Sequence, residues 1–491
     1  MTQKTKILAI GLDSADRNLL WEMQVAGELP VIRSLVKRGV WGSLKGPVAM
    51  GDDAAWASFS HCSGPGRHGR FFWKTVLPGI YDTPISPDHE RRPETFWSQL
   101  SSKGFKVGII DVPKTPLEKI ENGFQLCDWL VHGRDGSTRS WPHEIAQQVL
   151  TRFGDDQIDR WGSEDFLCSE YALSEELHLK FLNNLNHGLT CKKEASIEFL
   201  SQGGWDLFLT VFKESHCVGH EFWHCVDKSH SRFEEPNDSC VNNPVKDVYK
   251  KLDNAIGELL QQTDNQTHVV LFSGLGMSSN YTGEHLLDQA LIRLEAQLPN
   301  GLACRDPKIY NMLLEQPNLL DNPKFRSIRS AYQIPHNELS GAVRINIKGR
   351  EARGKFTPGN ELCQWYEWIE ASLLELTDPD TGHTVVDQVI RSDEQYPGKQ
   401  RDRLPDLFVI WNRDRPITGI SSKKIGVIRQ NQPDWRSGNH IVDGFYLISG
   451  PGIKAAKNSN PVSIMDIGPT IASLLGSSLE NIDGSNILAN I

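Results

Sequence analysis

Short apolar runs recur along this chain and alternate with segments of helical periodicity, and this pattern constrains the fold more than any other feature. The clearest runs are KILAIGLD (6–13), KVGIIDV (106–112), WDLFLTVF (205–212), HVVLFSG (268–274), PDLFVIW (405–411) and GFYLISG (444–450). Such runs are typical of strands buried on both faces of a parallel sheet. The segments between them, such as EELHLKFLNNL, space their apolar residues three and four apart. The pattern predicts an α/β fold with a doubly wound, mostly parallel sheet flanked by helices.

Two stretches interrupt this alternation, and we interpret both as insertions into a single domain spanning residues 1–491. Residues 114–200 are mostly polar with helical periodicity, which predicts a helical insertion. Residues 278–400 are rich in Pro, Asn and charged residues and contain one good strand pattern, GAVRINI. Both stretches are long enough to cover the edge of the sheet, and we expect the second to form a cap.

The charge balance excludes some classes of partner. Lys and Arg number 52 against 62 for Asp and Glu, a net charge of −10, which argues against nucleic acid and against an anionic membrane surface. No run reaches the roughly 18 apolar residues of a membrane span, and the N-terminus does not read as a signal peptide. The nine cysteines contain no CxxC pair. We therefore expect a reduced, cytoplasmic protein, and its oligomeric state stays open.

Acidic residues occur where ligands of α/β sheets bind. Asp13 follows the first strand, at the carboxyl end where ligand sites gather; a turn-forming aspartate is the alternative. Asp52 and Asp53 begin a probable helix in MGDDAAWASFSH. Helix capping alone explains one aspartate there more easily than two.

A histidine series follows the strand WDLFLTVF. His216, His220 and His224 are spaced i, i+4 and i+8, so they share one face of a helix and the first two can hold one metal ion. A solvated stripe of histidines is the alternative. A third ligand must come from another strand end, and His440 in SGNH, just before GFYLISG, is the candidate.

Several of these stretches occur together in one order along the chain. They are ILAIGLDSAD, AAWASFSHCSGPGRHG, GIIDVPKTP, WDLFLTVFKESHCVGHEFWH, VYKKLDNAIGELL, VRINIKGREARG, DPDTGHTVVDQV, SGNHIVDGFYLISGPGI, DIGPTIASLLG and DGSNIL. From near residue 5 to near residue 490 the chain resembles the type I phosphodiesterase and nucleotide pyrophosphatase branch of the alkaline phosphatase superfamily. The resemblance implies an alkaline-phosphatase-like core with cap insertions, two zinc-type metal sites and a Thr or Ser nucleophile.

Some positions of that family pattern keep metal-binding residues. The first-strand aspartate falls on Asp13, and the last metal histidine, in a Gly-x-His turn, falls on His440. The Asp-x-x-x-His pair falls on His216 and His220, so a histidine replaces its carboxylate. Three neutral imidazoles form a chemically sensible set for one metal ion.

Other positions of that family pattern no longer carry its nucleophile or its metal-binding residues. The nucleophile position falls on Asp52, which is neither Thr nor Ser, and the Asp-His pair of the SerAspHisGlyMet turn falls on Gly274 and Leu275. Beside a metal, a carboxylate such as Asp52 is more often a ligand or a general base than a covalent nucleophile. The resemblance therefore implies that the second metal site is dismantled here.

The resulting prediction is a centre for one divalent metal ion. The predicted metal ligands are His216, His220, His440, Asp13 and Asp52. Zinc is expected, with iron or manganese as alternatives, and a weak second site for Mg²⁺ is conceivable on Asp13, Asp52 or Asp53. Asp52 and Asp13 are also the predicted catalytic residues.

Basic residues are needed to attract an anion to a chain of this charge. Lys213, Arg67 and Arg350 are the predicted substrate-binding residues, with Asn346 and Lys348 as further contacts from the cap. Each such residue is more often a surface or supporting residue than a ligand contact.

Three functions follow. The first is a single-metal hydrolase of a small anionic ester, phosphate or sulfate, in which metal-bound water attacks and Asp52 or Asp13 accepts the proton. The second is a repurposed metalloenzyme that catalyses a non-hydrolytic step in small-molecule biosynthesis. The third is a metal-free pseudoenzyme that acts as a binding protein. The substrate itself is not determined by these motifs.

Overall fold

A computed structural model of the chain describes residues 5–86, 93–131, 137–155, 174–233, 243–298, 307–336, 339–433 and 435–490. Its strands are β1 Ile7–Leu12, β2 Val40–Lys45, β3 Val107–Ile110, β4 Gly123–Cys127, β5 Arg139–Trp141, β6 Leu207–Phe212, β7 His268–Ser273, β8 Gly276–Ser279, β9 Ala331–Ile334, β10 Ser340–Ile345, β11 Val386–Arg391, β12 Leu407–Trp411, β13 Gly419–Ser422, β14 Gly426–Arg429, β15 Gly438–Ile441, β16 Asp443–Ser449 and β17 Ala456–Ser463. Its α-helices are α1 Arg17–Ala26, α2 Pro30–Arg38, α3 Asp52–His61, α4 Pro65–His68, α5 Phe96–Ser102, α6 Glu144–Phe153, α7 Glu175–Ser201, α8 Glu214–Phe222, α9 Pro244–Leu260, α10 Glu284–Glu295, α11 Pro307–Glu315, α12 Pro323–Arg326, α13 Asn360–Leu374, α14 Ser392–Gln395 and α15 Ile467–Leu474.

Within the described residues the main sheet has nine strands, in the order β17-β2-β16-β7-β1-β6-β3-β4-β5. Strands β7, β1, β6, β3 and β4 run parallel to one another, which confirms the predicted α/β class. The run GFYLISG was expected among the parallel strands, but as β16 it is antiparallel to both β2 and β7. The sheet is therefore mixed, with a parallel centre.

The central strands are apolar throughout because both faces of the sheet are covered. In β1, Leu8 and Ile10 face a core built with α1, α2, α7, α8 and α9. The alternate residues Ile7 and Ala9 face a second core built with α3, α5 and α15. All four side chains are fully buried, and the three larger ones, Ile7, Leu8 and Ile10, each contribute about 1.5–3 kcal/mol of transfer free energy.

Residues 114–200 do not form the helical insertion that their sequence suggests. The described part supplies β4 and β5 to the edge of the main sheet. It also supplies α7, whose apolar residues Phe181, Leu185 and Phe199 belong to the core on one face of that sheet. The segment is therefore part of the α/β core, because its buried helix face is completed by the sheet itself.

The second interruption does form a separate layer, but it is longer than predicted. A four-stranded antiparallel sheet, β11-β12-β10-β9, packs with α10 and α13 around its own apolar core. The run PDLFVIW was predicted to be a parallel strand of the main sheet, yet as β12 it lies in this second sheet, antiparallel to β10 and β11. The cap thus extends past residue 400 to include the β13-β14 hairpin.

Candidate metal centre

Three histidines from two distant parts of the chain meet beside the carboxyl ends of β1 and β6. His216 and His220 lie one turn apart on α8, which follows β6 directly, and His440 lies on β15. Their ring centroids form an equilateral triangle with sides of 4.7 Å. One nitrogen from each ring lies within 4.8 Å of the others, and all three side chains are buried.

Close backbone packing carries His440 to this place. A Cβ atom on Gly438 would lie 2.2 Å from the carbonyl oxygen of Gly219, so only glycine lets β15 approach α8 this closely. On its other side β15 pairs with β8, and His440 lies opposite Met277. The segment after β7 therefore contributes no candidate ligand, but its strand β8 pairs with β15, which carries His440.

Asp13 orients one of the three histidines. Its Oδ2 atom lies 3.1 Å from His216 Nδ1, and its Oδ1 atom accepts a hydrogen bond of 2.9 Å from Trp56 Nε1. A carboxylate bonded to one nitrogen of an imidazole fixes which nitrogen faces a metal. Asp13 was predicted as a ligand; here its carboxylate contacts Nδ1 of His216, which would leave Nε2 of that ring for a metal ion.

Contacts with the backbone position the other two histidines. His220 Nδ1 donates to the Gly438 carbonyl oxygen over 2.7 Å, so its Nε2 is the nitrogen for a metal. His440 Nδ1 is buried without a hydrogen-bond partner among the described residues. Arg413 donates hydrogen bonds to the carbonyl oxygens of His440, Ser279 and Asn439 and so stabilises the backbone around His440.

The electrostatics of the centre keep two of its imidazoles neutral. Burial, and then the neighbouring His216, lower the pKa of His220 well below its usual range. Burial also lowers the pKa of His440, with further contributions from His216, Arg436 and Arg413. A neutral imidazole has the lone pair that a metal requires.

The donor set fits one divalent ion. Three imidazoles that converge, two of them fixed by an oxygen partner on the far nitrogen, form a typical protein arrangement for zinc. A metal would also satisfy the buried His440 Nδ1 atom, which otherwise lacks a partner among the described residues. Among the described residues, His216, His220 and His440 form a group whose ligand atoms lie close enough together to hold one metal ion.

The space of the second family metal site is filled by apolar side chains. A Cβ atom on Gly274 would lie 2.1 Å from Ile464 Cδ1, so an aspartate does not fit there. Leu275 and Ile464 are 2% and 1% exposed and belong, with Ala55, to the core on that face of the sheet. These residues do not fit a second metal ion.

The two aspartates of α3 have different surroundings. Asp53 is buried and accepts hydrogen bonds from Nε and Nη2 of Arg70, at 2.9 and 2.6 Å, so it is engaged in an ion pair rather than available for Mg²⁺. Asp52 is the first residue of α3 and is also buried. Its carboxylate is not among the potential ligand atoms that lie within 4.8 Å of one another in the described chain.

The predicted substrate contacts are corrected by the structure. Arg67 binds Asp483 Oδ1 at 2.6 Å, and Arg350 binds Asp406 Oδ2 at 2.7 Å. Both guanidinium groups are thus engaged by carboxylates of this chain. Lys213 is 1% exposed and its Nζ atom donates to a backbone carbonyl of Val131 over 3.4 Å.

The two further cap contacts are also structural. Asn346 Nδ2 donates to the carbonyl oxygens of Arg326 and Arg329. Lys348 Nζ bonds Thr357 Oγ1 at 3.1 Å. In the described structure neither side chain contacts one of the three histidines.

The structure also corrects the expected helix face of one histidine and shows two supporting groups that were not predicted. The regular helix ends at Phe222, and His224 lies in the 3₁₀ turn Trp223–Cys225, so the i+8 spacing no longer places it on the face of His216. Arg413 and the carbonyl of Gly438 were not predicted. Arg413 lies two residues after β12, a position near a strand end that the sequence could have indicated. No residue type in the sequence indicates the role of a backbone carbonyl.

Comparisons with known proteins agree with this architecture. The family model described as type I phosphodiesterase / nucleotide pyrophosphatase matches residues 7–440. Among solved structures, human ectonucleotide pyrophosphatase / phosphodiesterase 5 is 14% identical over 98% of this chain and 97% of its own, with a TM-score of 0.51. Phosphonoacetate hydrolase from Sinorhizobium meliloti 1021 is 13% identical over 97% and 96%, with a TM-score of 0.56. At such identities these structures show a shared fold, and no curated protein sequence matches the chain.

Proposed function

Because this chain belongs to the type I phosphodiesterase / nucleotide pyrophosphatase family, we propose that it is a hydrolase of a small anionic ester, phosphate or sulfate. In this proposal one divalent metal ion, zinc, binds His216, His220 and His440. The supporting observation is the equilateral arrangement of the three buried rings, with centroids 4.7 Å apart. A divalent ion held there supplies Lewis-acid chemistry: it polarises an ester oxygen and lowers the pKa of water.

The residues around the metal ligands have separate tasks. Asp13 holds His216 through a contact of 3.1 Å and therefore acts on the metal through that ring rather than by coordination. The Gly438 carbonyl does the same for His220. Trp56 fixes the far oxygen of Asp13, so the orienting carboxylate has little rotational freedom.

Water is the attacking group in this proposal because position 52 carries a carboxylate in place of a hydroxyl. As the water oxygen bonds to phosphorus or sulfur, its proton passes to Asp52 and the bond to the leaving oxygen breaks. Asp52 is assigned as the general base because Asp13 is already bonded to His216 and Trp56. A general base of this kind contributes roughly 10²–10⁴-fold to the rate.

Metal analysis and a substrate panel test this function together. The purified protein should contain one equivalent of zinc and hydrolyse at least one aryl phosphate, phosphodiester or aryl sulfate. His440→Ala should lose both the metal and the activity. A protein that holds one equivalent of metal and cleaves no member of the panel would contradict hydrolysis while leaving the metal centre intact.

A second candidate is a non-hydrolytic metalloenzyme that serves small-molecule biosynthesis. The observation favouring it is the same set of three imidazoles, which also accepts Fe(II) or Mn(II), together with the loss of both the family nucleophile and the second site. Metal analysis after anaerobic purification distinguishes the candidates: iron or manganese at one equivalent favours this one, and zinc alone contradicts its redox form.

The compartment is a further part of the proposal. In the described ranges no helix is long and apolar enough to cross a membrane. The six cysteines there form no disulfide bond, which is typical of a reducing environment, so we assign the chain to the cytoplasm. Mass spectrometry of protein purified without reductant should find no disulfide bond among these cysteines.

A further inference from the structure

The loop that follows β1 contains a serine in a backbone conformation that serine rarely adopts. Ser14 has a φ of 53°, in the left-handed region, which is unfavourable for most residues other than glycine because Cβ crowds the following carbonyl oxygen. Its side chain is 1% exposed. Such conformations persist where the surrounding structure fixes them, and they concentrate at functional sites. Ser14 follows Asp13 directly, so its contacts bear on the metal centre.

Hydrogen bonds from two other elements hold the loop on the C-terminal side of Ser14. The backbone N–H of Ala15 donates to Ser273 Oγ, at the end of β7, over 3.0 Å. The backbone N–H of Asp16 donates to the hydroxyl oxygen of Tyr249, on α9, over 2.7 Å. Because its neighbours are fixed in this way, Ser14 is held in the unfavourable conformation and its side chain has a defined position.

The Ser14 hydroxyl lies between two groups of the candidate metal centre. Its Oγ atom is 3.3 Å from Asp13 Oδ1 and 3.4 Å from His216 Nδ1. An ionised carboxylate only accepts hydrogen bonds, so the contact of 3.1 Å between Asp13 Oδ2 and His216 Nδ1 requires a proton on Nδ1. Ser14 Oγ therefore accepts from His216 Nδ1 and donates its own proton to Asp13 Oδ1. The carboxylate, the hydroxyl and the imidazole thus form a closed set of hydrogen bonds.

This set of hydrogen bonds restricts the orientation of the His216 ring. A contact with Asp13 alone leaves the ring some freedom to rotate, and a second acceptor at the same nitrogen narrows that freedom. The proton on Nδ1 also leaves the lone pair on Nε2, the nitrogen through which His216 would bind a metal ion. Outer hydrogen bonds of this kind orient the histidine ligands of metal sites and tune their affinity.

We propose that Ser14 is a positioning residue of the three-histidine centre, and that its hydroxyl orients His216 together with Asp13. A side chain at a φ where glycine is unstrained, bonded to both the carboxylate and the imidazole, carries this assignment. The inference deepens the proposed function and rests on its set of metal ligands, although the orienting role itself requires no bound metal.

Zinc affinity, measured by competitive titration, tests this role in two variants. Ser14→Ala removes the hydroxyl and keeps the backbone restriction, whereas Ser14→Gly removes the hydroxyl and also relieves the unfavourable φ. We expect both variants to raise the Kd for zinc about tenfold, with Ser14→Gly the more stable of the two in urea. Combined with Asp13→Asn, Ser14→Ala should raise the Kd by less than the product of the two single effects, because the three side chains share hydrogen bonds.

Ser58→Ala is the matched control. The Ser58 hydroxyl is also fully buried and lies 3.0 Å from an imidazole nitrogen, Nε2 of His68, but this pair lies outside the three-histidine cluster. The variant should therefore bind zinc like the wild type.

Exchange of the His216 Nδ1 proton with water provides a second readout, by NMR on metal-free protein with isotope-labelled histidine. The signal, assigned by its absence in His216→Ala, should exchange about fivefold faster in Ser14→Ala, since one hydrogen bond is lost. Wild-type zinc affinity in either Ser14 variant, or wild-type exchange in Ser14→Ala, would overturn the proposal. A wild-type protein that binds no zinc would contradict the proposed function, and proton exchange would then decide the role of Ser14 by itself.

Discussion

The carboxylate of Asp13 lies 3.1 Å from Nδ1 of His216, although 203 residues separate them in sequence. Both side chains are buried. The pair joins the end of β1 to the helix that follows β6, and these two strands are parallel neighbours. The motif pattern suggests Asp13 as a metal ligand, whereas in the structure its carboxylate contacts the ring of His216, which is itself a candidate ligand.

Replacement of that carboxylate should weaken metal binding without abolishing it. Asp13→Asn keeps the size of the side chain but removes the charge that orients His216, and the loss of such a partner typically costs 10–100-fold in metal affinity. Competitive zinc titration measures it. Trp56→Phe, which removes one of two donors to Asp13 Oδ1 together with part of a buried indole, should show a smaller loss. An unchanged affinity in Asp13→Asn would contradict the orienting role.

Removal of one imidazole should remove the metal and its stabilising effect. A ligand at 100 times its Kd stabilises the folded state by about 2.7 kcal/mol, so zinc should raise the Tm of the wild type and not that of His216→Ala or His220→Ala. Elemental analysis and thermal unfolding measure this. His224→Ala should behave like the wild type, because His224 lies outside the cluster. Metal loss in His224→Ala would show that the ligand set is wrong.

Restoring the family carboxylate at position 274 should destabilise the fold. A Cβ atom at Gly274 would lie 2.1 Å from Ile464 Cδ1, and overpacking of this kind costs about 1–3 kcal/mol. We expect Gly274→Asp to lower the free energy of unfolding in urea and to leave the metal stoichiometry at one. Combined with Ile464→Ala it should cost less than the sum of the two single changes. Strict additivity would mean that Ile464 does not fill this space.

Asp52 should affect turnover more than metal content. As a general base, it should lower kcat by roughly 10²–10⁴-fold when changed to Asn, with one equivalent of metal still bound. Asp52→Ser reinstates a hydroxyl but should not restore activity, because the site that would activate it is filled by Leu275 and Ile464. Faster turnover by Asp52→Ser would instead indicate a covalent route. Steady-state kinetics with the best panel substrate decide this.

Acid should destabilise the chain partly through His336. Burial lowers the pKa of His336 to about 4, against about 6.5 in an unfolded chain. The unfolded state therefore takes up a proton first as the pH falls, so this contribution is complete above pH ~6.5 and is lost towards pH ~4, at a cost of about 3 kcal/mol. His336→Phe, which keeps ring contacts with Phe71 and Phe72, should flatten urea-unfolding stability over that range. The exposed His383→Ala should not.

Much of the fold was predictable because hydrophobic periodicity is a local property. Runs such as VVLF are apolar at every position since both faces of the sheet are covered, and this is visible in sequence. Strand direction and sheet membership are not local. PDLFVIW and GFYLISG have the same apolar character, yet the first pairs antiparallel inside the cap and the second lies antiparallel in the main sheet.

The candidate site, like the fold, was predictable in part from local sequence and depended in part on tertiary contacts. The sequence by itself determined that His216, His220 and His440 are the imidazoles available near strand ends, and that position 274 carries no ligand. Only the tertiary structure decided that Asp13 contacts the ring of His216, that Arg67 and Arg350 are engaged by Asp483 and Asp406, and that Ile464 fills the space beside Gly274. The physical reason is that a side chain's type limits what it can bind, whereas its role depends on which groups reach it across the fold.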